Sequence, residues 1–97
     1  MTIARHYTMI AAPGKGEQLL GALQDLQRAL VGINGFEGAE LMRDTEDENR
    51  FVFIEKWTSV EAHKQGGEQL PKDAFALVMG ALGAKPEGAY LACIVSE

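Results

Sequence analysis

Between Ile3 and Ile10 apolar and polar residues alternate closely enough for a strand, and Ala11-Ala12-Pro13-Gly14 ends it with turn chemistry. From Lys15 to about Val31 the apolar side chains Leu19, Leu23, Leu26 and Leu30 recur at spacings of four and three, which sets them on one face of a helix closed by Gly32 and Gly35. Phe36 to Arg43 and Arg50 to Trp57 read as two further strands. The polar segment DTEDEN between them cannot be buried, so it is expected to be a solvated, mobile hairpin loop. Thr58 lies three residues before Glu61, the spacing of a capping box, and predicts a short helix that Gly66-Gly67 breaks. Pro71 then suits the first turn of another helix whose stripe is Phe75, Val78, Met79 and Leu82, ending at Gly83. Lys85-Pro86-Glu87-Gly88 reads as a loop and Ala89 to Val95 as the last strand.

The order strand, helix, strand, strand, helix, strand is the split βαβ arrangement, an α+β, ferredoxin-like βαββαβ fold. Both helical segments are expected on one face of a four-stranded antiparallel sheet. Parity along the strands puts Ile3, Arg5, Tyr7 and Met9 on the helix side with Phe51, Phe53, Glu55 and Trp57. His6 falls on the opposite side with Ala4, Thr8, Ile10, Val52, Ile54 and Lys56. Leu41, Val52, Ile54, Tyr90 and Ile94 are expected to share that open face as an apolar patch, which predicts a homodimer joined sheet to sheet.

At 97 residues the chain is read as one domain, residues 1–97. Nine Lys and Arg against fourteen Asp and Glu give a formal charge of −5 with no basic run, so the footprint of a nucleic-acid binder is missing. No apolar run approaches the roughly 20 residues of a membrane span, and MTIARHYTMI lacks the order of a signal peptide. The expectation is a cytoplasmic protein with neither a membrane nor a nucleic-acid partner. Cys93 is the single cysteine, so no disulfide forms within the chain, and its apolar run YLACIV suggests a buried, inert thiol.

The stretches PGKGEQLLGAL, GFEGAELMRD and NRFVFIEKWTSVEA together resemble the antibiotic biosynthesis monooxygenase family, over Ile3 to about Phe75. The resemblance implies a dimeric α+β barrel with a small-molecule pocket between sheet and helices. Members include oxygenases of aromatic polyketides and quinols that use neither metal nor flavin, haem-degrading enzymes, and proteins without a known substrate. The chain departs from its relatives in places. Many carry a histidine where this chain has Gly66, with His63 most of a helical turn earlier. Against haem-degrading members, the first-strand asparagine falls on Tyr7 and the iron-ligating histidine falls near Met79.

The candidate catalytic residues are Trp57, Tyr7, Arg5, Glu55 and His63. Trp57 offers an indole N–H and a stacking surface, Tyr7 a phenol, and Arg5 a cation for an enolate or phenolate. Glu55 orients Arg5 or accepts a proton, and His63 either turns inward as a base or points to water. The alternative is a cross-strand ion pair between Arg5 and Glu55, with Trp57 as core. Phe75, Val78 and Met79 are core that doubles as pocket wall. No His, Asp and Glu spacing supports a metal set, and no cofactor is expected. Three functions follow: a cofactor-independent monooxygenase acting on a small aromatic or quinol, a non-catalytic small-molecule binder, and haem binding.

Overall fold

In a computed structural model describing residues 2–95, four strands and three helices follow one another as β1 (Ile3–Ile10), α1 (Gly16–Leu30), β2 (Phe36–Arg43), β3 (Arg50–Trp57), α2 (Val60–Gln69), α3 (Lys72–Ala81) and β4 (Glu87–Ala92). The strands pair antiparallel in the order β2-β3-β1-β4. This is the ferredoxin-like α+β fold that the apolar pattern predicts.

The core lies between one face of the sheet and the helices. Burial along β3 alternates strictly, with Phe51, Phe53, Glu55 and Trp57 buried and the residues between them half-buried. Leu19, Leu23, Leu26 and Leu30 of α1 pack against that row together with Met9, Val78 and Ala81. Each fully buried leucine contributes about 1.5–3 kcal/mol relative to exposure, so the α1 stripe is the main attachment of helix to sheet.

Several local expectations need correction. Ser59, not Thr58, caps α2: its hydroxyl accepts from the Ala62 N–H at 3.0 Å. The helix then continues through Gly66-Gly67 to Gln69. β4 begins at Glu87, inside the expected loop, and ends at Ala92 rather than Val95. Cys93 is half-buried rather than enclosed. The hairpin loop is solvated as expected, exposed from Thr45 to Glu48, and its acids form local turns in which Asp44 accepts from the Glu46 N–H and Asp47 from the Asn49 N–H.

Strand register also revises the open face. Leu41 lies opposite Phe53 and Tyr90 opposite Arg5, so both belong to the helix side. Met42, opposite Val52, and Leu91, opposite Ala4, take their places. The reason is that parity within a strand leaves its phase free until pairing fixes it. In β2 the phase is set at a bulge between Phe36 and Gly38, where Gly38 takes φ 139°, open to glycine but strained for other residues. Ile94 lies beyond the end of β4 and is exposed.

Candidate active site

Three adjacent strands deliver the site. Arg5 stands directly between Glu55 on β3 and Tyr90 on β4, while Tyr7, two residues along β1, faces the same way. Trp57 ends β3, and the Ser59 cap turns the chain at once into α2, so His63 comes down one turn later over the indole. The rings of Trp57 and His63 meet edge to face, 5.6 Å between centroids, and Phe36 packs edgewise on Trp57 at 5.3 Å.

Trp57 is 1% exposed and its Nε1–H donates to Glu55 Oε1 at 2.9 Å. A buried carboxylate and a buried indole N–H thus satisfy each other. Glu55 is not the partner of Arg5: no ion pair joins them among the described residues, and the guanidinium instead lies over the Tyr7 ring at 4.9 Å and the Tyr90 ring at 4.3 Å. Such contacts stabilise a cation without neutralising it. Gly88 makes the room, since a Cβ there would sit 2.6 Å from Arg5 Nη2. Arg5 Nε is enclosed without a hydrogen-bond partner in the protein.

His63 turns inward. Its Nε2 lies 3.1 Å from the Tyr7 hydroxyl and its Nδ1 2.7 Å from the Tyr90 hydroxyl. Glu55 Oε1 is 3.7 Å from Nε2. Burial, helped by the charges of Arg5 and Lys64, holds the imidazole below its ordinary pKa, so at neutral pH the Glu55 contact is with a neutral ring and is not a salt bridge. Burial pushes the Glu55 carboxyl up, opposed by the Trp57 N–H and by Arg5. Burial likewise raises the Tyr7 phenol, opposed by the Arg5 guanidinium beside it. Tyr7 is therefore a neutral donor near pH 7.

Beneath these groups is a cavity lined by Tyr7, Leu30, Glu55, Trp57, His63, Gly67, Leu70 and Phe75. Its volume of about 10 Å³ is room for roughly one water, so an aromatic ligand would require the α2–α3 junction to move outward. Phe75 contributes to this wall but is 43% exposed rather than core, Val78 is core but outside the lining, and Met79, 56% exposed, is neither. The place of the relatives' helix histidine is closed as well: a Cβ at Gly66 would lie 2.5 Å from Trp57 Cη2.

All five residues singled out from the sequence, Arg5, Tyr7, Glu55, Trp57 and His63, thus converge. Tyr90, assigned to the other face by parity alone, joins them. No signal in the sequence alone marks it, since only the pairing of Gly88 with Tyr7 in the folded sheet fixes the phase of β4.

Residues 2–65 match the sequence profile of the antibiotic biosynthesis monooxygenase family, and the chain belongs to that family. No functionally curated protein matches it in sequence. Among solved structures it is similar to SnoaB, a cofactor-independent oxygenase from Streptomyces nogalater, at 13% identity and TM-score 0.86 over 98% of this chain and 95% of that one. A protein from Mycobacterium tuberculosis is similar at 15% identity and TM-score 0.84, covering 99% and 98%. A conserved protein from Methanosarcina mazei Go1 gives 15% identity and TM-score 0.82 over 93% and 90%. At these identities the likeness is one of fold.

Proposed function

We propose that the protein is a cofactor-independent monooxygenase that oxidises a small aromatic or quinol-type substrate in the cavity under α2. The observation that carries this reading is the meeting of a neutral phenol, a neutral imidazole and the Trp57 indole at one cavity between sheet and helices, with the Arg5 guanidinium stacked on the phenol ring outside the lining. An electron-rich substrate of the anthrone kind loses a proton, and its anion passes an electron to O2. The two radicals join through a C–O bond. Loss of the remaining C–H proton and cleavage of the O–O bond leave a carbonyl and release the second oxygen as water. The balance is a ring CH2 plus O2 giving C=O plus H2O, with no further reductant.

Each side chain has a place in that scheme. Tyr7, backed by His63, takes the first proton; Arg5, stacked on the Tyr7 ring, stabilises the developing anion; Trp57 stacks on the substrate ring and, with Leu30, Leu70 and Phe75, keeps bulk water away. Glu55 holds the indole in position through its hydrogen bond. The test is oxygen consumption with a panel of hydroquinones and anthrones. The expected result is turnover that falls about tenfold or more in Trp57→Phe. Unchanged turnover in that variant removes Trp57 from the mechanism.

The engagement of the Trp57 N–H by Glu55, which leaves the indole no free donor for a substrate, favours one other reading, a non-catalytic small-molecule binder. It predicts saturable quenching of Trp57 fluorescence by the same panel with no oxygen uptake.

A further inference from the structure

Tyr90 stands outside the cavity lining, yet it is hydrogen-bonded to the group that acts inside it. We propose that Tyr7, His63 and Tyr90 form a proton path from the cavity to solvent, with Tyr90 as the positioning residue at its outer end. Its use in catalysis rests on the oxygenase reading above; its existence rests on the hydrogen bonds themselves.

The geometry is continuous. Tyr7 lines the cavity, its oxygen is 3.1 Å from Nε2, Nδ1 is 2.7 Å from the Tyr90 oxygen, and Tyr90 is 37% exposed. A neutral imidazole carries one N–H and one free lone pair, so it receives a proton on one side while releasing one on the other. When the substrate gives its first proton to the Tyr7 oxygen, the Tyr7 proton moves to Nε2, the Nδ1 proton to Tyr90, and the Tyr90 proton to water. Every protein group ends neutral, with the imidazole in its other tautomer. The reverse transfer, delivering a proton to the departing hydroxide, restores the first tautomer.

The surroundings favour this neutral shuttle over a trapped imidazolium. Groups facing the ring are Glu55 from β3, Arg5 and Tyr7 from β1, Tyr90 from β4 and Lys64 from its own helix. Arg5 lies over both phenol rings, so its charge stabilises a transient phenolate at either end and opposes a cation between them. The same stacking fixes the two rings at the spacing that one imidazole spans.

Tyr90→Phe keeps the ring under Arg5 and deletes only the hydroxyl. The expected result is a kcat lowered about tenfold at low buffer with KM unchanged, and restored by millimolar imidazole that leaves the parent protein unaffected. A purely structural hydroxyl gives no such buffer rescue. In parallel, ¹⁵N spectra of the His63 ring are expected to show a changed tautomer population in Tyr90→Phe. Unchanged ring spectra overturn the path whatever the activity, and unchanged turnover without buffer dependence overturns it while leaving the oxygenase reading intact. If the parent protein oxidises none of the panel, the oxygenase reading fails and the ring spectra alone decide the path.

Discussion

Glu55 and Trp57 are each tolerable in the core only because of the other. Removing the indole N–H leaves a buried carboxyl short of its donor, so Trp57→Phe is expected to cost about 1–3 kcal/mol in urea unfolding. The two ionisable neighbours have opposite signs against pH. Glu55 has a raised folded pKa, so its contribution to stability is complete below 4.5 and is lost as pH rises through the folded value. His63 has a lowered one, so its contribution is complete above 6.5 and is lost as pH falls through the folded value. Replacing Glu55 by Gln is therefore expected to stabilise the protein progressively more, relative to the parent, as pH is raised from 4.5 to neutrality. A difference that stays flat over that range would show that Glu55 is solvated. Four of the five catalytic candidates were legible from alternation, because Arg5, Tyr7, Glu55 and Trp57 sit in strands whose inward rows carry the bulkier side chains. Tyr90 was not: β4 is exposed on both faces, so burial imposes no pattern on its sequence, and only hydrogen-bond register orients it.

The helices make a related point about glycine. Gly66-Gly67 reads as a break because each glycine costs a helix about 1 kcal/mol relative to alanine. In α2 the first of them is where the helix backbone rests on the Trp57 ring, and the packing gained offsets that loss. Local propensity cannot distinguish a glycine that ends a helix from one that lets it approach something. The same change at adjacent positions separates the two roles. Gly66→Ala drives a Cβ to 2.5 Å from the indole and is expected to cost about 1–3 kcal/mol. Gly67→Ala meets nothing within 4 Å and is expected to gain up to about 1 kcal/mol. Paired denaturation curves check both signs. By contrast, α1 was readable almost to the residue, since four leucines on one stripe admit a single period and a single buried face.

At the scale of the whole molecule, the monomer is too exposed for its size. A folded chain of this mass exposes about 5,400 Å², whereas this one exposes 6065 Å². Part of the excess is β4, every residue of which is exposed, with Leu91 on the sheet face that no helix covers. Ile10, Val52, Ile54 and Met42 share that face, interrupted by His6, Glu40 and Lys56, a mixture that suits an interface better than a core. A two-fold copy packed on this face would bury the apolar row against its twin, and it is the homodimer that we propose. Ile54 lies at its centre, between His6 on one side and Glu40 on the other. Ile54→Lys places a charge beside Glu40, where the monomer can accommodate it, but sets two like charges near the two-fold axis of the pair. The expected outcome in sedimentation velocity is a parent protein at the dimer mass and a variant shifted to the monomer, with unchanged far-ultraviolet circular dichroism. A parent that sediments as a monomer at micromolar concentration would end the dimer proposal. The site would not fall with it, because Arg5, Tyr7, Glu55, Trp57, His63 and Tyr90 all come from one chain on the opposite face.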